Sequence, residues 1–208
     1  MMEVAELQRK SLIRIVDDDP LVRESLSFLL KVKGWSVIAY ENAEAFLEGE
    51  RFNIPGCVIL DIRMASMSGL ELQIYLERNL AKIPIIFITA HGEVDSAVHT
   101  MKHGAVDFLQ KPIDENRLDK AILSAVSKDM DYWKKKKDSR RIKANYDSLT
   151  PREREVIELV AQELTNREIS DRLRISERTV HTYRSVGMDK LEVKTVLQLA
   201  NALEMIKN

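Results

Sequence analysis

Five times between Leu12 and about Ser127, a short run of apolar, mostly β-branched residues gives way to an amphipathic stretch. The runs cover residues 12–16, 36–40, 57–61, 84–89 and 106–110. After the first, Val22, Leu26, Leu29 and Leu30 recur at the intervals of one helix face. Continuous apolar strands are buried on both sides, and successive parallel strands need crossovers that lay helices on the sheet. The alternation therefore predicts an α/β domain with a doubly wound parallel sheet. Local punctuation agrees: Asp19-Pro20 reads as N-cap and first helical residue, Ser68 as the cap of the helix after the third strand, and Gly34 and Gly104 as helix closers.

Reactive side chains stand where the apolar runs end. Asp61 follows Cys57-Val58-Ile59-Leu60, Asp17-Asp18-Asp19 follows the first run, Thr89 the fourth, and Lys111-Pro112 the fifth. In a parallel sheet all of these project from the carboxyl edge, where open α/β folds bind ligands. Carboxylates, a hydroxyl and an ammonium gathered there suit a divalent cation and a phosphoryl group. Singly, each has a plainer reading: Asp19 as a helix cap, Thr89 as a strand end, Phe108 as core.

Taken in order, Asp17, Asp18, Asp61, Thr89 and Lys111, with Phe108 three residues before the lysine, resemble the receiver domain of bacterial two-component response regulators over about residues 11–128. The resemblance implies a flavodoxin-like five-stranded parallel sheet of order 2-1-3-4-5, with Asp61 phosphorylated by a sensor histidine kinase. It makes Asp18, Asp61 and the backbone carbonyl of Arg63 ligands of Mg²⁺, with Asp17 acting through water. A cation is chemically apt, because a carboxylate attacking a phosphorus ringed by negative oxygens needs positive charge nearby. Lys111 would pair with phosphoryl oxygens, Thr89 would hydrogen-bond another, small Ala90 would leave room, and Phe108 would turn inward as the switch. One departure is Ala65, where many members carry proline. His91 and His103 read as surface or packing residues rather than ligands.

Between Pro112 and Pro151 there is neither glycine nor proline, so nothing breaks the helix after the fifth strand. Its apolar positions Leu118, Ile122, Ala125 and Val126 suit packing on the sheet, but Lys134-Lys135-Lys136-Lys137 cannot be buried, and an exposed helical linker to about Ser139 is expected. Lysine runs are ordinarily solvated faces; contact with nucleic acid is the alternative. The net charge of −1 is unevenly spread: 14 Lys/Arg against 19 Asp/Glu in residues 1–127, 8 against 3 in 128–143, and 10 against 11 in 144–208. The expected domains are 1–128, a basic helical linker 129–146, and 147–208.

From Leu149 the pattern is purely helical. Thr150 and Glu153 form a capping box around Pro151, and Val156, Ile157, Leu159, Val160 and Leu164 mark one face. A second helix, about Arg167 to Arg174, follows Asn166, a third follows Ser176, and a fourth begins near Thr195. Four short helices with a tight turn between the second and third suggest a helix-turn-helix. The segments Leu149-Thr150-Pro151-Arg152-Glu153-Arg154-Glu155, Thr165-Asn166-Arg167-Glu168-Ile169-Ser170 and Ile175 through Arg184 resemble the tetrahelical DNA-binding domain of LuxR, NarL and FixJ regulators. By that resemblance the third helix enters the major groove, with His181, Thr182, Arg184 and Ser185 toward bases and Arg178, Thr179 and Lys190 toward phosphates. Part of the last helix would be a dimer contact. Glu163 stands where the family often has glycine, and Gly187, inside the third helix, suggests a bend or a close approach to DNA.

By these resemblances the chain is expected to be a cytoplasmic transcriptional response regulator of the FixJ/NarL type. No apolar stretch approaches the ~18 residues of a membrane span, and the first ten residues are too charged for a signal peptide. Cys57, the single cysteine, forms no internal disulfide. The implied partners are a sensor histidine kinase, promoter DNA, a second copy of the chain on phosphorylation, and RNA polymerase, with no membrane. The role is that of a phosphoacceptor, with at most slow autodephosphorylation. The enzyme alternative is a haloacid-dehalogenase-like phosphatase with Asp17 as nucleophile, which would need a second acidic pair on a further strand; only Asp114-Glu115 follows the lysine. A phosphorelay or adaptor protein is the third reading.

Overall fold

Strands β1 (Leu12–Val16), β2 (Ser36–Tyr40), β3 (Gly56–Asp61), β4 (Ile85–Thr89) and β5 (Asp107–Gln110) form one parallel sheet in the order β2-β1-β3-β4-β5. The structure is a computed structural model describing residues 3–79, 83–90 and 104–207. β3 and β4 are buried along their whole length, as strands covered on both faces must be, whereas the edge strand β2 is largely exposed. Two apolar clusters fill the two sides. One joins Ile13, Ile15, Ile59 and Ile88 to Leu26 and Leu30 of the helix Pro20–Val32 and to Leu118, Ile122 and Val126; the other joins Val58, Leu60 and Phe87 to Phe46, Leu72 and Leu76.

The helix starts follow their caps. Asp19 accepts from the Leu21 N–H at 2.9 Å ahead of Pro20. Ser68 and Glu71 cap each other at the head of the helix Gly69–Asn79. Gly34 and Gly104 take left-handed φ angles of 91° and 82°. A helix the sequence reading did not include, Val4–Lys10, precedes β1; Leu7 joins the core and the Gln8 amide donates to the Lys33 carbonyl.

Arg14, inside the first apolar run, is fully buried. Its guanidinium makes two hydrogen bonds to the Glu50 carboxylate, at 2.7 and 3.0 Å, and donates to the carbonyls of Leu12 and Ile54. A buried charge is tolerable only when paired and saturated in this way. Nearby, buried Asp129 accepts from the Gly56 N–H at 2.7 Å. Burial pushes this carboxyl above its ordinary pKa range.

The helix Glu115–Asp147 is continuous over 33 residues, a length of about 50 Å at 1.5 Å per residue. The chain divides inside it into two compact units, one ending at Trp133 and the next beginning at Lys134. The second unit contains the helices Pro151–Ala161, Asn166–Leu173, Glu177–Lys190 and Val196–Lys207 around Val156, Ile157, Val160, Ile169, Val180 and Leu199. Thr150–Glu153 and Thr165–Glu168 both form complete capping boxes. The second helix therefore begins at Asn166 with Thr165 as cap, one residue earlier than the spacing suggested. Glu163 and Arg174 end their helices at φ 64° and 56°, adopting the left-handed turn that glycine usually supplies.

Candidate functional sites

The carboxyl edge of the sheet brings Asp17, Asp61 and Lys111 into direct contact. β1 and β3 are neighbours in register, and β5 delivers Lys111 from beyond β4. The Lys111 ammonium lies 2.7 Å from Asp17 Oδ2 and 2.8 Å from Asp61 Oδ1. The Lys111 N–H donates to the Thr89 carbonyl at 2.7 Å, and the Lys111–Pro112 peptide is cis. Asp17 Oδ1 also accepts from the Asp19 N–H, and Asp61 Oδ2 from the Arg63 N–H at 2.7 Å. Burial raises the Asp61 pKa despite the Lys111 hydrogen bond, and the negative charge of Asp17 adds to the effect. Burial works against the Lys111 charge too, but the two carboxylates overcome it and hold its pKa above the usual lysine value. One ammonium thus serves two buried carboxylates.

Around this pair, Asp18 is exposed at the end of β1, Thr89 is buried at the end of β4, and Ala90 is exposed beside it. Phe108 is half-buried against the second apolar cluster, opposite Phe87 in the ladder. His91, His103 and the helix expected between them lie outside the described residues. Asp114 caps its helix by accepting from the Arg117 N–H at 2.8 Å, and Glu115 lies 3.4 Å from the Lys33 ammonium, so both members of the acidic pair have structural partners. Excess negative charge and hard oxygen donors fit Mg²⁺. Among the described residues no three acidic, histidine or cysteine side chains form a closed metal cage, and Mg²⁺ requires none, since it keeps several waters beside one or two carboxylates.

In the second unit, Ser176 caps the helix Glu177–Lys190 by accepting from the Thr179 N–H at 3.1 Å. Val180 is fully buried, and Arg178, His181, Thr182 and Ser185 are exposed on the other side. Thr179 is half-buried and its hydroxyl bonds Ser176. Arg184 donates to Asn166 Oδ1 at 3.0 Å, bracing the helix against its neighbour. Lys190, expected to face a phosphate, has its ammonium 3.0 and 2.7 Å from the two carboxylate oxygens of Glu153. The Lys190 and Thr150 hydrogen bonds hold the Glu153 carboxyl below its ordinary range. Glu153 also accepts from the Thr150 N–H at 2.8 Å, so the partly exposed Lys190 is one of two partners of this carboxylate.

Residues 13–123 match the response regulator receiver domain, and residues 147–203 match the luxR family of bacterial regulatory proteins. The transcriptional regulatory protein FixJ of Bradyrhizobium diazoefficiens is 38% identical over 190 residues, 91% of this chain and 93% of that one. The chain belongs to the FixJ/NarL family of two-component response regulators. The response regulator protein TodT of Pseudomonas putida is 38% identical over 200 residues, spanning 96% of this response regulator and 88% of its relative. Among solved structures, the response regulator StyR superposes with a TM-score of 0.83 at 38% identity, covering 94% of this chain and 98% of that one.

Two glycines of this response regulator shape its sites in ways the sequence reading did not reach. A Cβ on Gly69 would stand 2.2 Å from the Asp61 carbonyl oxygen, so the helix head packs directly on the Asp61 backbone. A Cβ on Gly187 would stand 2.4 Å from Ile157 Cγ1. Gly187 is therefore a buried helix crossing, and the bend or DNA approach expected of it is replaced by this contact. Gly69 follows a serine cap, a signal that points to a helix start but not to what the start rests on.

Proposed function

We propose that this response regulator is a cytoplasmic transcription factor switched by phosphorylation of Asp61 by a sensor histidine kinase. The observation that carries the reading is the single Lys111 ammonium held between Asp17 and Asp61 at the carboxyl edge. Bound Mg²⁺ would supply the positive charge that phosphoryl transfer needs, and Asp18, Asp61, the Arg63 carbonyl and, through water, Asp17 would hold it. The Asp61 carboxylate attacks the phosphorus, the bond to the donor breaks, and an acyl phosphate forms. Lys111 exchanges its contact with Asp61 for a phosphoryl oxygen, and Thr89, with Ala90 leaving space, bonds another. Phe108 then changes its packing, and two copies of the chain associate.

The dimer presents two copies of the helix Glu177–Lys190 to promoter DNA. Arg178, His181, Thr182 and Ser185 face the duplex, with Thr179 at the margin. Arg184 and Lys190 brace the reading helix through Asn166 and Glu153. RNA polymerase is the further partner of the bound pair. The test is labelling by a small phosphodonor with and without Mg²⁺. Wild type should take up one phosphoryl group per chain only with the metal, Asp61→Asn none, and Asp18→Ala little. Undiminished labelling of Asp61→Asn, or continuous turnover of a phosphate ester, would overturn the assignment.

A further inference from the structure

DNA-binding proteins draw their sequence-independent affinity from cations that displace counterions from phosphates. The four-helix part of the second unit is poorly supplied with them. Residues 144–208 carry 10 Lys/Arg against 11 Asp/Glu, and on the reading helix Arg184 and Lys190 are committed to Asn166 and Glu153. The missing charge lies immediately upstream. Residues 134–143 add seven Lys/Arg against one Asp, so the unit beginning at Lys134 holds 17 against 12, a balance of +5.

This stretch is a fixed part of the DNA-binding unit. It is helical throughout, the Ser139 hydroxyl donates to the Met205 carbonyl at 2.9 Å, and Arg141 lies 2.7 Å from Glu192. Ile142, Asn145 and Tyr146 form its half-buried side, leading to buried Leu149. Lys134, Lys137, Arg140 and Lys143 are all exposed and recur every third residue, so successive members are neighbours on a ridge that climbs about 4.5 Å and turns about 60° per step, running across the exposed half of the helix with Lys137 and Arg140 at its centre. Among the described residues none of the four is in an ion pair or side-chain hydrogen bond.

We propose that the row Lys134, Lys137, Arg140 and Lys143 is a second DNA-contact surface, which grips backbone phosphates beside the sequence read by the helix Glu177–Lys190. The inference rests on the DNA-binding reading above and adds to it the source of non-specific affinity. Duplex DNA is the partner because the row is tied by Ser139 and Arg141 to the unit that carries the reading helix.

The test uses the full chain and two probes, a random-sequence duplex and a duplex selected by wild type from a random library. Lys134, Lys137, Arg140 and Lys143 are changed together to glutamine, a good helix former, and circular dichroism checks that the helix persists. Between about 50 and 200 mM salt, the slope of log affinity against log salt should become shallower by about 2 to 4, near 0.9 per lost phosphate contact. The loss should be alike on both duplexes, and arginine in place of the three lysines should retain the wild-type slope. An unchanged slope, or a loss confined to the selected duplex, overturns the proposal. So does row-dependent binding to anionic phospholipid vesicles with an unaltered DNA slope, which would assign the row to a membrane surface. Failure of wild type to bind either duplex would instead remove the DNA-binding reading, and this inference with it.

Discussion

At the scale of single residues, two substitutions separate effects that sequence alone would confuse. Gly187→Ala should raise helix propensity by about 1 kcal/mol. The new methyl, however, would land within 2.4 Å of Ile157, and overpacking of that kind costs about 1–3 kcal/mol. The clash should win, and urea unfolding of the second unit should show a lower midpoint. Asp61→Asn should act in the opposite direction on the receiver. Folding raises the Asp61 pKa, chiefly by burial, so the folded state holds the carboxylate less well than the unfolded chain does. That penalty is complete above the raised pKa and fades as pH falls through it toward about 3.9, the unfolded value. The asparagine variant should therefore melt higher than wild type near neutrality, with the gap closing in acid; an equal gap at all pH values would contradict this.

At the scale of elements, helix ends decide much of the local stability. Glu163 occupies the left-handed turn after Ala161 at φ 64°, a conformation that costs a residue with a Cβ about 1–2 kcal/mol. Glu163→Gly should stabilise the second unit by about 1 kcal/mol, less the chain entropy that glycine adds to the unfolded state. Elements like these were legible where one physical signal dominated. Strands buried on both faces read as apolar runs, and the Ser68 and Thr150 caps and the Gly34 turn announced themselves. The seven-residue helix Val4–Lys10 was not legible, because only Leu7 reaches the core and one apolar residue sets no period. Arg14 hid within an apolar run, its burial depending on Glu50, which lies 36 positions away. Likewise, strand-end spacing placed Asp17, Asp61 and Lys111 on one edge, but the sharing of one ammonium by two carboxylates is a property of the assembled sheet.

At the scale of the whole molecule, two separate cores contribute to one unbroken helix. Leu118, Ile122 and Val126 belong to the first core, and Tyr146 packs against the second. If this helix transmits the state of Asp61, a flexible Gly-Ser insertion after Lys137 should uncouple phosphorylation from tight promoter binding while leaving labelling and basal DNA binding intact. Retention of phosphorylation-dependent binding would show that the signal bypasses the helix. The four consecutive lysines have a consequence of another kind. A protease such as trypsin needs an extended substrate, so cleavage after Lys134 to Lys137 must wait for that part of the helix to open. Where opening and closing are fast relative to cutting, the rate of nicking measures the population of the open form. The molecule carries a proteolytic gauge of its own linker, read from the appearance of two fragments, each retaining a complete core.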